Sequence, residues 1–261
     1  MTPAFAGTLV LLGFAGAFVS GLVGVGGAIV MIPLLYYAPP LLGVGSLPMP
    51  EVSGVTMVQV LAAAAVGAWI HGRHAAVQRE LAVTGGAAMA AASLAGALAS
   101  SQLSARALLI VFTLMATVAL PLLAVRPLEA SVSAPSPEVS VPRGLAVGAL
   151  ALIGFASGLV GAGGAFLTVP VMIALLRLPM RLAIGTSLAV TGMSALAGVL
   201  GKALTAQIPL GPAAAVVLGS VVGARVGARV SRRVPVRVLR LVLVVLVALV
   251  AIRVWWDVLA T

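Results

Sequence analysis

The stretch Gly21-Leu22-Val23-Gly24-Val25-Gly26-Gly27-Ala28 returns, almost unchanged, as Gly158-Leu159-Val160-Gly161-Ala162-Gly163-Gly164-Ala165. At the same offset, Phe18, Ser20 and Pro33 correspond to Phe155, Ser157 and Pro170. A glycine knot that occurs twice, each time inside a long apolar run, describes one structural unit used twice. Glycine permits positive φ at such a place and lets another group approach bare backbone. In hydrocarbon, backbone opened this way has to line a cavity or lie inside protein. The two knots are therefore the first candidates for a site.

The surroundings are strongly apolar, with 62% hydrophobic and 8% charged residues and a mean hydropathy of +1.26. No soluble core hides that much apolar surface, so the chain reads as an all-α polytopic membrane protein with the lipid bilayer as a partner. The formal charge of +10 would point to nucleic acid in a soluble protein. Here the arginines lie between apolar runs, where they set orientation in the membrane, and nucleic acid is not an expected partner. The chain has no cysteine, which excludes disulfides, thiolate chemistry and Cys-ligated metals. It turns apolar almost at once without a basic segment ahead, so a cleaved signal peptide is not expected.

The apolar runs cover about 4–38, 52–72, 80–101, 106–126, 144–176, 182–202, 209–231 and 236–256. Most match the ~20 residues of a bilayer crossing. The two that carry the knots are too long for one crossing and short for two, at roughly 50 Å of helix against a ~30 Å core. A break at the glycines, with Pro33 and Pro170 six residues beyond the last glycine of each knot, gives two half-helices that dip in and return.

The arginines test this reading. If every run crosses once, the basic residues divide 9 against 6 between the two sides. If the long runs return, Arg73, Arg79, Arg126, Arg143, Arg177, Arg181, Arg225, Arg229, Arg232, Arg233, Arg237 and Arg240 share one side. Only Arg106, Lys202 and Arg253 then lie opposite, a 12 to 3 division that obeys the positive-inside rule. The first side is then cytoplasmic and both termini face out. Each half has one returning segment and three crossings, so the halves are inverted: 1–127 and 143–261, joined by a Pro/Ser-rich cytoplasmic linker over 128–142. Later parts of the halves align too: Gly54, Gly67, Gly96 and Ser100 fall on Gly185, Gly198, Gly227 and Ser231, and His71 falls on Lys202.

The paired Gly-Leu-Val-Gly-x-Gly-Gly-Ala…Pro segments, followed by Ile184-Gly185-Thr186-Ser187-Leu188, resemble the TauE/SafE family of sulfite and organosulfonate exporters. The first half departs from the pattern, with Ser53-Gly54-Val55-Thr56-Met57 where a second Gly-Thr-Ser would stand. The resemblance implies a permease of the bacterial inner membrane that moves small sulfur-containing anions such as sulfite, thiosulfate or organosulfonates.

The residues themselves supply a chemistry for this. A half-helix that begins at a glycine knot aims free N–H groups and a positive dipole end at the cavity, which suits an anion. The candidate substrate-binding residues are Gly24, Gly26, Gly27, Gly161, Gly163 and Gly164, completed by Thr56, Gln59, Thr186 and Ser187. Ser20, Ser53, Ser157 and Thr191 are further hydroxyls beside them. The competing reading of the glycines is close helix packing through small residues, which fits Gly223 and Gly227 better than the knots. Membrane Ser and Thr also often bond only their own backbone.

Arg225, Arg229, Arg232 and Arg233 read as a snorkelling cluster at a helix end, or as a basic vestibule that concentrates anions. His71 and His74 lack a third ligand, so no metal is expected. Every carboxylate (Glu51, Glu80, Glu129, Glu138, Asp257) lies at a run end, which leaves no buried acid as a proton relay. The knots lack the strand and later acid of a dinucleotide fingerprint, and no Gly-Lys-Ser/Thr loop occurs, so neither an enzyme nor an ATP hydrolase is expected and no cofactor is called for. A secondary anion permease is the leading reading, with self-association into a homo-oligomer allowed. The alternative is a non-transporting assembly or anchoring subunit whose glycines only pack helices.

Overall fold

Leu, Ala, Val and Gly in runs of about twenty residues satisfy their backbone internally by coiling, the only option for a single segment in hydrocarbon. The computed structural model describes residues 1–23, 28–71, 77–125, 143–231, 234 and 236–260. Among them all the regular secondary structure is helical, with no strand: α1 (Pro3–Val23), α2 (Ala28–Leu41), α3 (Met49–His71), α4 (Arg79–Ala99), a 3-10 turn (Ser100–Gln102), α5 (Ala105–Val125), α6 (Arg143–Val160), α7 (Ala165–Ala174), α8 (Met180–Leu204), α9 (Leu210–Ser231) and α10 (Val236–Ala260). Six stretches are long and apolar enough to cross a bilayer: Pro3–Gly21, Met49–Val66, Arg79–Gln102, Ala105–Leu122, Leu182–Leu204 and Leu210–Gly227. The linker expected at 128–142, the glycines Gly24, Gly26 and Gly27, and the side chains of Arg73, His74, Arg126, Arg232 and Arg233 lie outside the described residues.

The long apolar runs divide less evenly than two half-helices each. With 21 residues, α1 is span-length by itself, whereas α2 has 14. The second run divides into 18 residues in α6 and 10 in α7. α2 doubles back along α1, because Gly16 faces Met31 and Leu34. The chain then comes back to the level at which it set out: Gly45 lies against the Phe5 ring and Gly211 against Met1.

Pairs of residues give the helix directions. Gly85 meets Leu150, Gly154 meets Met89 and Gly158 meets Ser93, so α4 and α6 run parallel. Gly86 meets Met193 and Gly201 meets Ala97, so α4 and α8 are parallel as well. Gly219 meets Val10 and Gly223 meets Phe14, which makes α1 and α9 parallel, and Ser220 Oγ donates to the Gly13 carbonyl between them at 3.2 Å. In most of these pairs a Cβ would stand on a facing backbone carbonyl, which is small-residue packing of membrane helices. α3 and α8 instead run antiparallel, with Ser53 near Lys202, Met57 at Gly198 and Ala64 at Gly192. These two are the most enclosed spans, with 56% and 50% of their apolar windows buried against 28% for α1. They form the centre on which the rest packs.

One end of the molecule thus carries Met1, Gly45, Ser101, Lys202 and Gly211. The other carries the starts of α4, α6 and α8, with the exposed Arg79, Arg177, Arg225 and Arg229.

Candidate functional site

The second knot is where α6 stops. The amides of Gly161 and Ala162 both donate to the Ser157 carbonyl, at 2.8 and 3.0 Å, which closes the last turn. Gly161, Gly163 and Gly164 take φ of 80°, 60° and 78°, a region that side-chain-bearing residues rarely enter. Space forbids a side chain as well: a Cβ would overlap the Ser53 carbonyl at Gly161, Val60 at Gly163 and Met89 at Gly164. Close packing is therefore part of what these glycines do, most directly at Gly161.

α7 then begins at Gly164 with no side-chain cap. The Leu167 and Thr168 amides turn back to the Gly164 carbonyl. That leaves the amides of Gly163, Gly164, Ala165 and Phe166 without a backbone acceptor, the orphan donors of a helix start. Val60, Met89 and Thr191, the neighbours of Gly163 and Gly164, lie near the middle of α3, α4 and α8. The positive end of α7 is therefore at mid-depth between three spans.

Among the described residues, Ser157 Oγ, Thr191 Oγ1, Ser194 Oγ and both side-chain amide atoms of Gln59 are buried without a hydrogen-bond partner. Gln59, Ser157 and Ser194 are fully enclosed, and Thr191 is 3% exposed. Ser157 Oγ lies 2.8 Å from where a Cβ on Gly164 would stand, and the Thr191 methyl lies 3.7 Å from the equivalent point at Gly163. Ser194 is one turn beyond Thr191, and Gln59 adjoins Val60. A buried polar group left unpaired costs about 1–3 kcal/mol. Ser157 and Thr191 thus stand beside the uncapped start of α7, with Ser194 on the next turn of α8 and Gln59 next to Val60 in the chain.

Other sequence candidates are placed differently. Thr56 donates to the Val52 carbonyl at 2.8 Å and Ser187 to the Ile184 carbonyl at 3.0 Å, so each spends its one proton on its own helix. Thr186 accepts from the Gln78 amide at 3.0 Å, at the arginine-rich end of the bundle. Among the described residues no group of three His, Cys, Asp or Glu could hold a metal.

Lys202, the only lysine in the chain, is not among the residues that the sequence points to as a site. It is fully buried, although it was expected at a run end. Its ammonium donates to Ser53 Oγ and Ser100 Oγ, both at 2.7 Å, and to the Leu159 carbonyl and Gln207 Oε1, both at 3.0 Å. All four partners are neutral oxygens. The available signal was a lone lysine, in a chain otherwise rich in arginine, as the last residue of the apolar run 182–202.

A family model described as Sulfite exporter TauE/SafE matches residues 9–254. No curated protein and no solved structure matches the chain.

Proposed function

The chain belongs to the sulfite exporter TauE/SafE family, and on that premise we propose that it is a secondary transporter of small sulfur-containing anions such as sulfite, thiosulfate or organosulfonates. The observation that carries the proposal is the set of unpartnered buried donors at the start of α7, namely Ser157, Thr191 and the Gly163–Gly164 amides, to which we add the unpaired Gln59 of α3 and Ser194 of α8. An oxoanion placed there accepts from neutral donors and meets the positive end of a helix. Hydrogen bonds to a charged group contribute about 1.5–3 kcal/mol each, enough to replace the water an anion leaves behind.

We take the architecture to be two inverted repeats, 1–127 and 143–261. Three pairings support this: α1 packs parallel to α9 as α6 packs parallel to α4, and the central α3 and α8, equivalent in the two repeats, run antiparallel. Gly24, Gly26 and Gly27 then have the same role in the first repeat as Gly161, Gly163 and Gly164 in the second. We place the protein in the bacterial inner membrane with the arginine-rich end in the cytoplasm.

A second reading, in which the glycines only pack helices, is favoured by the fit of Gly161 on Ser53. A thermal-shift screen of sulfite, thiosulfate, sulfoacetate, taurine and sulfate on the purified protein separates the two. A saturable rise in Tm with a sulfur oxoanion is expected, because only a ligand bound by the native state stabilises it. No response to any of these anions would leave the packing interpretation standing.

A further inference from the structure

The four oxygens around Lys202 are held as acceptors whether or not the ammonium is there. Ser53 donates its proton to the Pro50 carbonyl at 2.8 Å, and Ser100 donates to the Ala97 carbonyl at 2.6 Å, with Gln207 Oε1 a longer alternative acceptor at 3.2 Å. Gln207 is oriented by its amide group, which donates to Thr205 Oγ1 at 2.8 Å and Ser100 Oγ at 3.1 Å, so that Oε1 faces inward. The Leu159 carbonyl belongs to the last turn of α6, where carbonyls have no helical donor.

The position adds to this. The parallel helices α4, α6 and α8 end at Ala99, Val160 and Leu204, so three negative dipole ends converge on one point. An ammonium has three N–H groups for these four acceptors, whereas a spherical cation uses all four. The cage is built for a single positive charge rather than for the shape of a lysine.

We propose that Ser53, Ser100, Leu159 and Gln207 form a monovalent-cation site whose occupant is carried by the chain itself as Lys202. Without that side chain the cage takes K⁺, Na⁺ or a small primary alkylammonium. Hard cations accept neutral oxygens of this kind in place of their hydration shell. The built-in charge holds the Leu159 carbonyl and Ser53, which flank Gly161, in place. It also fills the position that a coupling cation would otherwise need to enter.

The test is the thermal stability of purified Lys202→Ala in choline chloride, with K⁺, Na⁺ or n-propylammonium substituted at constant chloride and no sulfur anion present. The readout is independent of whether the protein binds a sulfur anion. The expected result is a saturable rise in Tm of roughly 3–6 °C for the variant, with none for the wild type. Lys202→Met, whose side chain fills the space, is expected to stay at the lower Tm whatever the cation. Ser100→Ala in the Lys202→Ala background should reduce the response at least tenfold in apparent affinity. A Lys202→Ala protein indifferent to all three cations, or one that folds with none of them, overturns the proposal. So does a Lys202→Met protein as stable as wild type.

Discussion

Lys202, near the end of α8, donates to Ser53 Oγ near the start of α3 at 2.7 Å, and the carbonyl of that same serine occupies the space where a side chain on Gly161 would begin. A buried cation from the second half of the chain, a serine from the first and the first glycine of the knot thus form one continuous contact. The knot is positioned from outside as well as by its own glycines.

Gly161→Ala is expected to lower Tm. A left-handed conformation costs about 1–2 kcal/mol with a Cβ, and overlap with the Ser53 carbonyl adds to it, at roughly 2–4 °C per kcal/mol for a chain of this size. Gly223→Leu, facing the Phe14 carbonyl, should also lose stability, yet the surviving protein should bind anion normally. Thermal unfolding and anion titration of both variants provide the check. Unchanged stability in Gly161→Ala would contradict the geometry. Gly164→Leu should abolish transport, but it also meets Met89 and so separates binding from packing less cleanly than a side-chain variant.

Gln59→Leu is that variant. It keeps the volume and removes two unpartnered buried polar atoms, so stability should hold or rise by about 1–3 kcal/mol. Anion affinity should fall by about 10- to 100-fold, the loss of one hydrogen bond to a charged group. Isothermal titration beside a melting curve measures both. A stable variant with unchanged affinity would remove Gln59 from the site.

Thr186→Val should behave in the opposite way. The Gln78 amide loses its acceptor, at a cost of about 0.5–1.5 kcal/mol, while anion affinity stays within about twofold because Thr186 lies at the arginine-rich end. A tenfold loss of affinity would place Thr186 against the ligand.

The absence of cysteine allows the two ends of the bundle to be distinguished in intact cells. Ser101 is exposed at the Lys202 end and Val77 at the Arg79 end. Ser101→Cys should react with an impermeant thiol reagent from outside, and Val77→Cys only after permeabilisation. The reverse pattern would turn the orientation over.

Much of this architecture could be read from the sequence because membrane helices must satisfy their own backbone. Apolar run lengths matched five of the six long spans, whereas the sixth, Pro3–Gly21, lies in a run expected to divide into two half-helices. Gln59 stands out in the sequence because an amide in an apolar run has few ways to be satisfied, and it is buried with both amide atoms unpartnered. Thr186 and Ser187 were less so, since a hydroxyl in a helix can bond locally at Ile184 or meet a distant amide such as Gln78, and composition does not tell these apart. The Lys202 cage was illegible for a different reason. Its oxygens come from Ser53, Ser100, Leu159 and Gln207, which are brought together only by the convergence of α3, α4, α6 and α8.

On the proposed function, the protein moves a sulfur oxoanion down its electrochemical gradient with no coupled ion. An inside-negative potential of 100 mV drives each negative charge outward by roughly 2.3 kcal/mol, and no buried carboxylate is found among the described residues to relay a proton. The most direct measurement is sulfite flux in liposomes under a potassium–valinomycin potential, without a pH or sodium gradient. Flux should follow the sign of the potential, persist with a protonophore, and fall at least tenfold in Gln59→Leu. Flux that appears only with a proton or sodium gradient, or no flux of any sulfur oxoanion, would contradict the account.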